Sequence, residues 1–372
     1  MQTPVRFHPY TGGVENYAYD LSKRLAARGH EVTVICADET GGGTKEEIPE
    51  NLRVKRLPYA GKIANTNITP GLPLSLLKED CDVIHTHFPT PWSADWSGII
   101  SLMNRKPFFI TYCNDLTGNG SMRHVASAYS RTVLRATLRA SKKIITLQPR
   151  YAEYSSYLRG YAGKIEAIPP GVDTGKFLPS ASDKEKGDPT IFFLSILDEY
   201  HAYKGLDHLL KAVAIVRREI PDVRLIVGGK GKMASSYNTL SKDLGIEENV
   251  AFIGFVPDGD LVRLYNNCDV FALPSTAHQE GFGIVLAEAM SCAVPVITTD
   301  YAGLADEIKD AKAGVVVPAC DAASLAEGIM QILSDKREAD IMGRRGRTLV
   351  KERYEWDKIA GRVERLYEEH VV

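Results

Sequence analysis

No run of apolar residues in this chain reaches the roughly 18 that a membrane-spanning helix needs, and its first residues hold no apolar signal-peptide core. The expectation is a cytoplasmic protein, at most peripheral on the inner face of the cell membrane. Cysteine is sparse and unpatterned: Cys36, Cys81, Cys113, Cys268, Cys292 and Cys320 include no Cys-x-x-Cys pair, and several lie inside apolar runs, so reduced cytosolic thiols are the simplest reading. Net charge is nearly absent as well. The 45 basic and 47 acidic residues leave −2, which speaks against a nucleic-acid binder. The two halves differ, with 21 basic against 16 acidic residues (+5) in 1–175 and 24 against 31 (−7) in 176–372. Acid is missing altogether between Asp115 and Glu153, where Arg123, Arg131, Arg135, Arg139, Lys142, Lys143 and Arg150 supply seven positive charges. Arg131, Arg135 and Arg139 recur every fourth residue, which predicts a helix with a basic, amphipathic face toward something anionic.

With 372 residues, two domains are expected. Residues 1–175 read as a first α/β domain. A helix is predicted over Val14–Arg28, stopped by Gly29, followed by strands at Glu31–Ala37, Leu52–Leu57, Asp82–His87, Pro107–Tyr112 and Lys143–Leu147. A Gly-rich loop is expected at Gly41–Thr44. The polar stretch 176–189 reads as a linker. Strands at Thr190–Leu197, Val223–Val227, Val250–Phe255, Val270–Leu273, Val294–Thr298 and Gly314–Val317 then alternate with helices over 176–352, the pattern of a doubly wound parallel sheet. A last helix starts near Trp356 within 353–372.

The most informative stretch runs from His278 to Met290. Ile284 to Ile297 is apolar or small except for Glu288, and a carboxylate in such a setting needs a partner. Gly281 and Gly283 bracket Phe282 where a loop becomes a helix, and the N–H groups of a helix start attract an anion. Glu280 and Glu288 flank that point, and carboxylates accept hydrogen bonds from hydroxyls. Phosphate in the middle with polyols on either side describes a nucleotide sugar. The simpler alternative is a buried helix whose Glu pairs with a nearby Arg or Lys.

This Glu, seven residues, Glu spacing around Gly-Phe-Gly resembles the signature of retaining GT-B glycosyltransferases of the family 4 type, and the resemblance covers nearly the whole chain. It implies two facing Rossmann-like domains with an interdomain cleft and a terminal helix that crosses back to the first domain. It also implies that Glu280 holds the donor sugar, that the backbone from Gly281 through Phe282 and Gly283 to Ile284 meets sugar and phosphate, and that Glu288 grips the ribose diol. Gly12 and Gly13, before the first helix, correspond to a glycine pair that approaches the donor closely. Lys204 matches a Lys-Gly element whose ammonium faces the diphosphate. Gly229 lies beside the nucleotide, and the backbone at Val256 meets the base.

Relatives open with a hydrophobic strand of which only the tail is present here, so the first sheet is expected to lack one strand. Ile196 stands where many relatives carry an Arg, which leaves Lys204 to act with His201 or backbone donors. Thr111-Tyr112-Cys113-Asn114-Asp115 departs from the usual Tyr-His-x-Asp: Cys113 replaces an imidazole on the acceptor side, so either activity is weak or Asp115 carries the acceptor's proton; the simpler alternative is that Cys113 is a small buried hydrophobe. His85 and His87 alternate on a strand without a third ligand in view. The Asp-x-Asp triplets at Asp80–Asp82 and Asp258–Asp260 fall in the wrong context for a magnesium site. Gly229-Lys230-Gly231-Lys232-Met233-Ala234 satisfies a dinucleotide fingerprint, but the acid expected after the next strand is missing.

The reading is a metal-independent hexosyltransferase without a cofactor. Lys204 and Glu280 are its catalytic residues, with Asp115 as proton carrier. A nucleotide-sugar donor is passed to a glycan or lipid-linked acceptor. Arg131, Arg135 and Arg139 lie on the acceptor side, next to an anionic membrane surface, and nucleic acid is not a partner. A weakened GT-B binding protein and an NAD-dependent oxidoreductase are the alternatives.

Overall fold

The computed structural model describes residues 1–10, 12–39, 49–63, 66–116, 122–148, 151–180, 187–277 and 280–371. The Gly41–Thr44 loop, Arg150, His278 and Gln279 lie outside them. The chain forms two compact units, Met1–Gly171 with Trp356–Val372, and Val172–Glu355. The first break falls after Gly171 and not at Gly175, because Val172 and Phe177 are already buried in the second core and the Val172 N–H bonds to the Tyr354 carbonyl.

In the first unit the strands are β1 Gln2–Thr3, β2 Val32–Ala37, β3 Leu52–Leu57, β4 Gly61–Ile63, β5 Thr66–Ile68, β6 Ile84–Phe88, β7 Phe108–Tyr112, β8 Lys143–Thr146 and β9 Ile165–Ala167. Its helices are α1 Gly13–Ala27, α2 Leu72–Lys78, α3 Pro91–Asn104, α4 Met122–Arg131, α5 Val133–Ala140 and α6 Tyr151–Tyr154. Seven strands form one parallel sheet in the order β3-β2-β1-β6-β7-β8-β9, while β4 and β5 make a separate antiparallel pair.

The expected gap in this sheet is filled. Gln2 and Thr3 pair in parallel with β6 on one side, and Gln2 with β2 on the other. Two residues are a short strand, and side chains hold it in place. Gln2 Oε1 lies 3.0 Å from His87 Nε2, and Thr3 Oγ1 lies 2.9 Å from Ser97 Oγ. The predicted basic helix is also corrected. It breaks at Thr132 (φ −118°, ψ −84°), whose hydroxyl bonds back to the Ala128 carbonyl at 2.7 Å and competes with the helix ladder. Arg131 therefore ends α4, and Arg135 and Arg139 belong to α5.

The second unit carries β10 Thr190–Leu194, β11 Arg224–Gly228, β12 Val250–Gly254, β13 Val270–Leu273, β14 Val296–Thr299 and β15 Gly314–Val317. Its helices are α7 Leu206–Glu219, α8 Ala234–Asp243, α9 Asp258–Asn267, α10 Ile284–Ser291, α11 Ala305–Ala311, α12 Ala322–Ser334 and α13 Lys336–Arg353. All six strands are parallel, in the order β12-β11-β10-β13-β14-β15, so the winding reverses between β10 and β13. Both faces of the sheet are covered, which is why the strands read as apolar runs such as Val270–Leu273, buried along their whole length. The last helix, α14 Trp356–Glu368, packs on α1 in the first unit, with Trp356 against Gly171 and Tyr17.

Candidate active site

Open parallel sheets leave a crevice at the carboxyl ends of the strands that flank the reversal in their order. In the second unit those strands are β10 and β13. Beyond β10, a 3₁₀ turn over Glu199–Lys204 ends at Gly205, whose φ of +77° starts α7. A Cβ at Gly205 would lie 2.0 Å from the Pro274 carbonyl oxygen, so glycine lets this turn touch the segment after β13. Thr276 seals the contact, donating from its N–H (2.6 Å) and its hydroxyl (3.1 Å) to the Tyr203 carbonyl.

This clamp brings Lys204 to Glu280. The ammonium lies 2.7 Å from Glu280 Oε2, and Ser275 donates to the same oxygen at 3.3 Å. The Lys204 side chain is 17% exposed and that of Glu280 6%, an ion pair at the edge of solvent. Burial and the Glu280 charge push the neighbouring Tyr203 phenol up. Gly283, at φ +84°, starts α10 and presents that helix's first N–H groups three residues beyond Glu280. Gly281 precedes it, partly exposed, and the helix proper begins at Ile284. Phe282 points the other way, buried edge-on against Tyr354.

Glu288 is half-buried in α10 and accepts from the Tyr265 hydroxyl of α9 at 2.8 Å. Burial, then the Glu288 charge, push the Tyr265 phenol well up and keep it a donor. His201 does not reach out to help Lys204; it bonds Asp198 at 2.7 Å. Ile196 is 53% exposed on the same loop.

The dinucleotide fingerprint has a packing explanation. A Cβ at Gly229 would lie 1.7 Å from the Ser195 carbonyl, and one at Gly231 1.9 Å from that of Leu197. These glycines let the loops after β10 and β11 zip together, through Leu197 N–H to Lys230 O and Met233 N–H to Leu197 O. Val256, half-buried, packs towards Gly228 in the same cluster.

In the first unit, Gly12 and Gly13 begin α1, but Glu15 takes the position next to them. Its Oε2 is 2.4 Å from where a Gly12 Cβ would stand, and its Oε1 accepts from Arg6 Nε at 3.0 Å. Cys113 is buried, and its thiol is pushed up to about 12 by burial and then by Glu15. Asp115 accepts from the Tyr112 hydroxyl (2.8 Å) and from the Ser155 hydroxyl (2.6 Å), while its N–H donates to Tyr151. It is tied into a bracket between β7 and α6. His85 and His87 are fully buried and staple secondary elements: His85 meets Thr111 at 2.8 Å and Tyr367 of α14, and His87 meets Gln2. Burial holds the His87 ring down to about 3, hence neutral. No group of three metal-ligating side chains gathers among the described residues. Arg131, Arg135 and Arg139 are exposed on α4 and α5.

Sequence reasoning missed Ser275, Thr276 and Tyr265. Pro274-Ser275-Thr276 was the available signal, polar residues following an apolar strand.

Two parallel doubly wound units with a charged pair at the reversal of one sheet are the architecture of the GT-B class. Family models match twice, "Glycosyl transferases group 1" over residues 176–349 and "Glycosyltransferase Family 4" over residues 11–176. The chain belongs to the group 1 glycosyltransferases, and it is a glycosyltransferase. It is 27% identical to the GDP-mannose-dependent alpha-(1-6)-phosphatidylinositol monomannoside mannosyltransferase of Mycolicibacterium smegmatis, over 97% of this chain and 96% of the relative. It is 26% identical to the phosphatidyl-myo-inositol mannosyltransferase of Mycobacterium leprae, over 96% and 93%. Among solved structures, Anabaena HepE in complex with UDP superposes with a TM-score of 0.80 at 20% identity, covering 99% of each chain. Sucrose-phosphate synthase from Thermosynechococcus elongatus gives 0.79 at 24%, over 99% and 98%.

Proposed function

We propose that this glycosyltransferase moves a hexosyl group, with retention and without a metal, from a nucleotide-diphosphate sugar to a hydroxyl of a lipid-linked or envelope glycan acceptor. The observation that carries the reading is the Lys204–Glu280 pair, built from the two loops that flank the reversal of the second sheet. The relatives' use of GDP-mannose and of phosphatidylinositol acceptors supports the donor and acceptor classes.

In this reading the donor diphosphate lies against the start of α10 and draws Lys204 onto its developing charge. A cation placed where charge grows stabilises the transition state more than the ground state. Lys204 and Ser275 both donate to Oε2 of Glu280, and Oε1 accepts a sugar hydroxyl. Glu288, steadied by Tyr265, takes the ribose diol. The bond from the anomeric carbon to the phosphate oxygen breaks as the acceptor oxygen bonds to the same face. The acceptor's proton passes to the departing diphosphate, because Cys113 stays protonated and Asp115 is engaged by two hydroxyls. A second reading, nucleotide-sugar binding with weak turnover, is favoured by that same Cys113, which offers no imidazole.

Thermal-shift titration with GDP-, UDP- and ADP-sugars, with NAD as control, tests the donor. A ligand at about 100 times its Kd adds ~2.7 kcal/mol of stability. One nucleotide sugar is expected to raise the melting temperature, and Glu288→Ala to abolish the shift. A response to NAD alone contradicts the reading. Binding without release of nucleoside diphosphate favours the second one.

A further inference from the structure

Helices that cover a sheet turn polar side chains outward. One layer of the first unit does not. Among the described residues, every large hydrophobic side chain exposed on an α-helix lies on α2, α3, α4 or α5. Leu74 and Leu77 stand on α2, and Ile99, Leu102 and Met103 on α3; the other three are on α4 and α5. Leu102 and Met103 are 66% and 63% exposed, and with Ile99 they occupy positions i, i+3 and i+4 of one helix face. The four helices lie side by side, α2 on α3, α3 on α5 and α5 on α4. Across the sheet, α1 and α14 expose no such residue.

The exposed charges within these four helices have one sign, and Glu79, which caps α2, is paired with Lys55. Lys78, Arg123, Arg131, Arg135 and Arg139 are exposed, and Arg105 caps α3. The single acid within the four helices, Asp95, is half-buried and accepts from Tyr129 Oη (2.9 Å) and Thr137 Oγ1 (2.6 Å). An apolar surface rimmed by cations fits the boundary between acyl chains and anionic headgroups, where arginine meets phosphate and leucine meets hydrocarbon. Twofold pairing with a second copy would set the same cations against each other.

We propose that this layer docks the protein on an anionic lipid bilayer, with Leu102 and Met103 of α3 entering the interface. The proposal rests on the lipid-linked acceptor read above and names the surface that would deliver the enzyme to it.

The test floats the full chain with vesicles of phosphatidylcholine alone and of phosphatidylcholine with phosphatidylglycerol, at low and high salt. Wild type is expected on the mixed vesicles only, and less so at high salt. Leu102→Ser with Met103→Ser removes two exposed apolar side chains that would enter the bilayer and is expected to weaken partitioning by about tenfold or more, with an unchanged melting temperature. Equal recovery on both vesicle types, wild-type recovery by the double variant, or a dimer in analytical ultracentrifugation that the double variant dissolves would overturn the proposal. Transfer to a water-soluble acceptor, measured in the same samples, keeps the two readings apart: the double variant should retain it. Its absence from wild type would strike the transferase mechanism and leave the flotation result standing.

Discussion

At the carboxyl ends of its strands, the second unit sets an ion pair at the reversal of its sheet, and the first ties its polar groups into packing. Lys204 and Glu280 meet at 2.7 Å on the reversal of the second sheet, at the edge of solvent. The matching edge of the first unit holds a protonated thiol at Cys113, a neutral imidazole at His87 and an Asp115 bracketed by hydroxyls. Both sheets have the same winding, so the difference lies in what each loop does with its polar groups. One set is poised for a charged ligand, and the other holds β1, α6 and α14 to the sheet. In the proposed mechanism the donor chemistry belongs to the second unit, and the first contributes scaffold and acceptor surface.

The comparison can be broken in four places. Glu280→Ala should give the largest effect, lowering turnover by ~10²–10³, the usual loss on removing a group that acts in the transition state; steady-state kinetics with the true donor checks it. Gly205→Ala drives a Cβ to within 2.0 Å of the Pro274 oxygen and should destabilise the second unit by ~3 kcal/mol, read from denaturant melts. His87 tests the first unit. Its folded value of about 3 lies below the ordinary 6.5, so the neutral form is favoured by folding. Its contribution is complete above about 6.5 and is lost progressively as pH falls toward 3. His87→Asn should therefore flatten the fall in stability across that window, and an unchanged slope would remove His87 as its source. The smallest effect is expected of Cys113→Ala, about twofold or less in kcat, because a buried protonated thiol moves no proton near neutral pH. A drop as large as that of Glu280→Ala would return the first unit to the chemistry.

Much of the fold was legible because a buried strand such as β13 is apolar along its whole length, while the edge strand β3 interleaves apolar and charged residues. The sequence places β3, β13 and β15 at their observed ends, and most other strands within a few residues. Gln2–Thr3 was not legible, since two residues carry no period and the strand depends on His87 and Ser97, which lie far along the chain. The break at Thr132 was missed because neither Gly nor Pro marks it. Within the site, Glu280 stood out through its place before Gly-Phe-Gly and Lys204 through its resemblance to the family's Lys-Gly element, but their contact spans 76 positions and exists only because β10 and β13 are neighbours in the sheet. The apolar layer was hidden for a related reason. Leu102 and Met103 look like core residues in the sequence, and only the packing of α2, α3 and α5 shows that they face outward.

The most direct test of the central claim is nucleoside diphosphate release from a panel of GDP-, UDP- and ADP-sugars, run side by side for wild type and Lys204→Ala. One donor should be turned over by wild type, and the variant should be slower by ~10²–10³ while still binding that donor. Equal rates for the two proteins, or no release from any donor, would contradict the assignment of the chemistry to the Lys204–Glu280 pair.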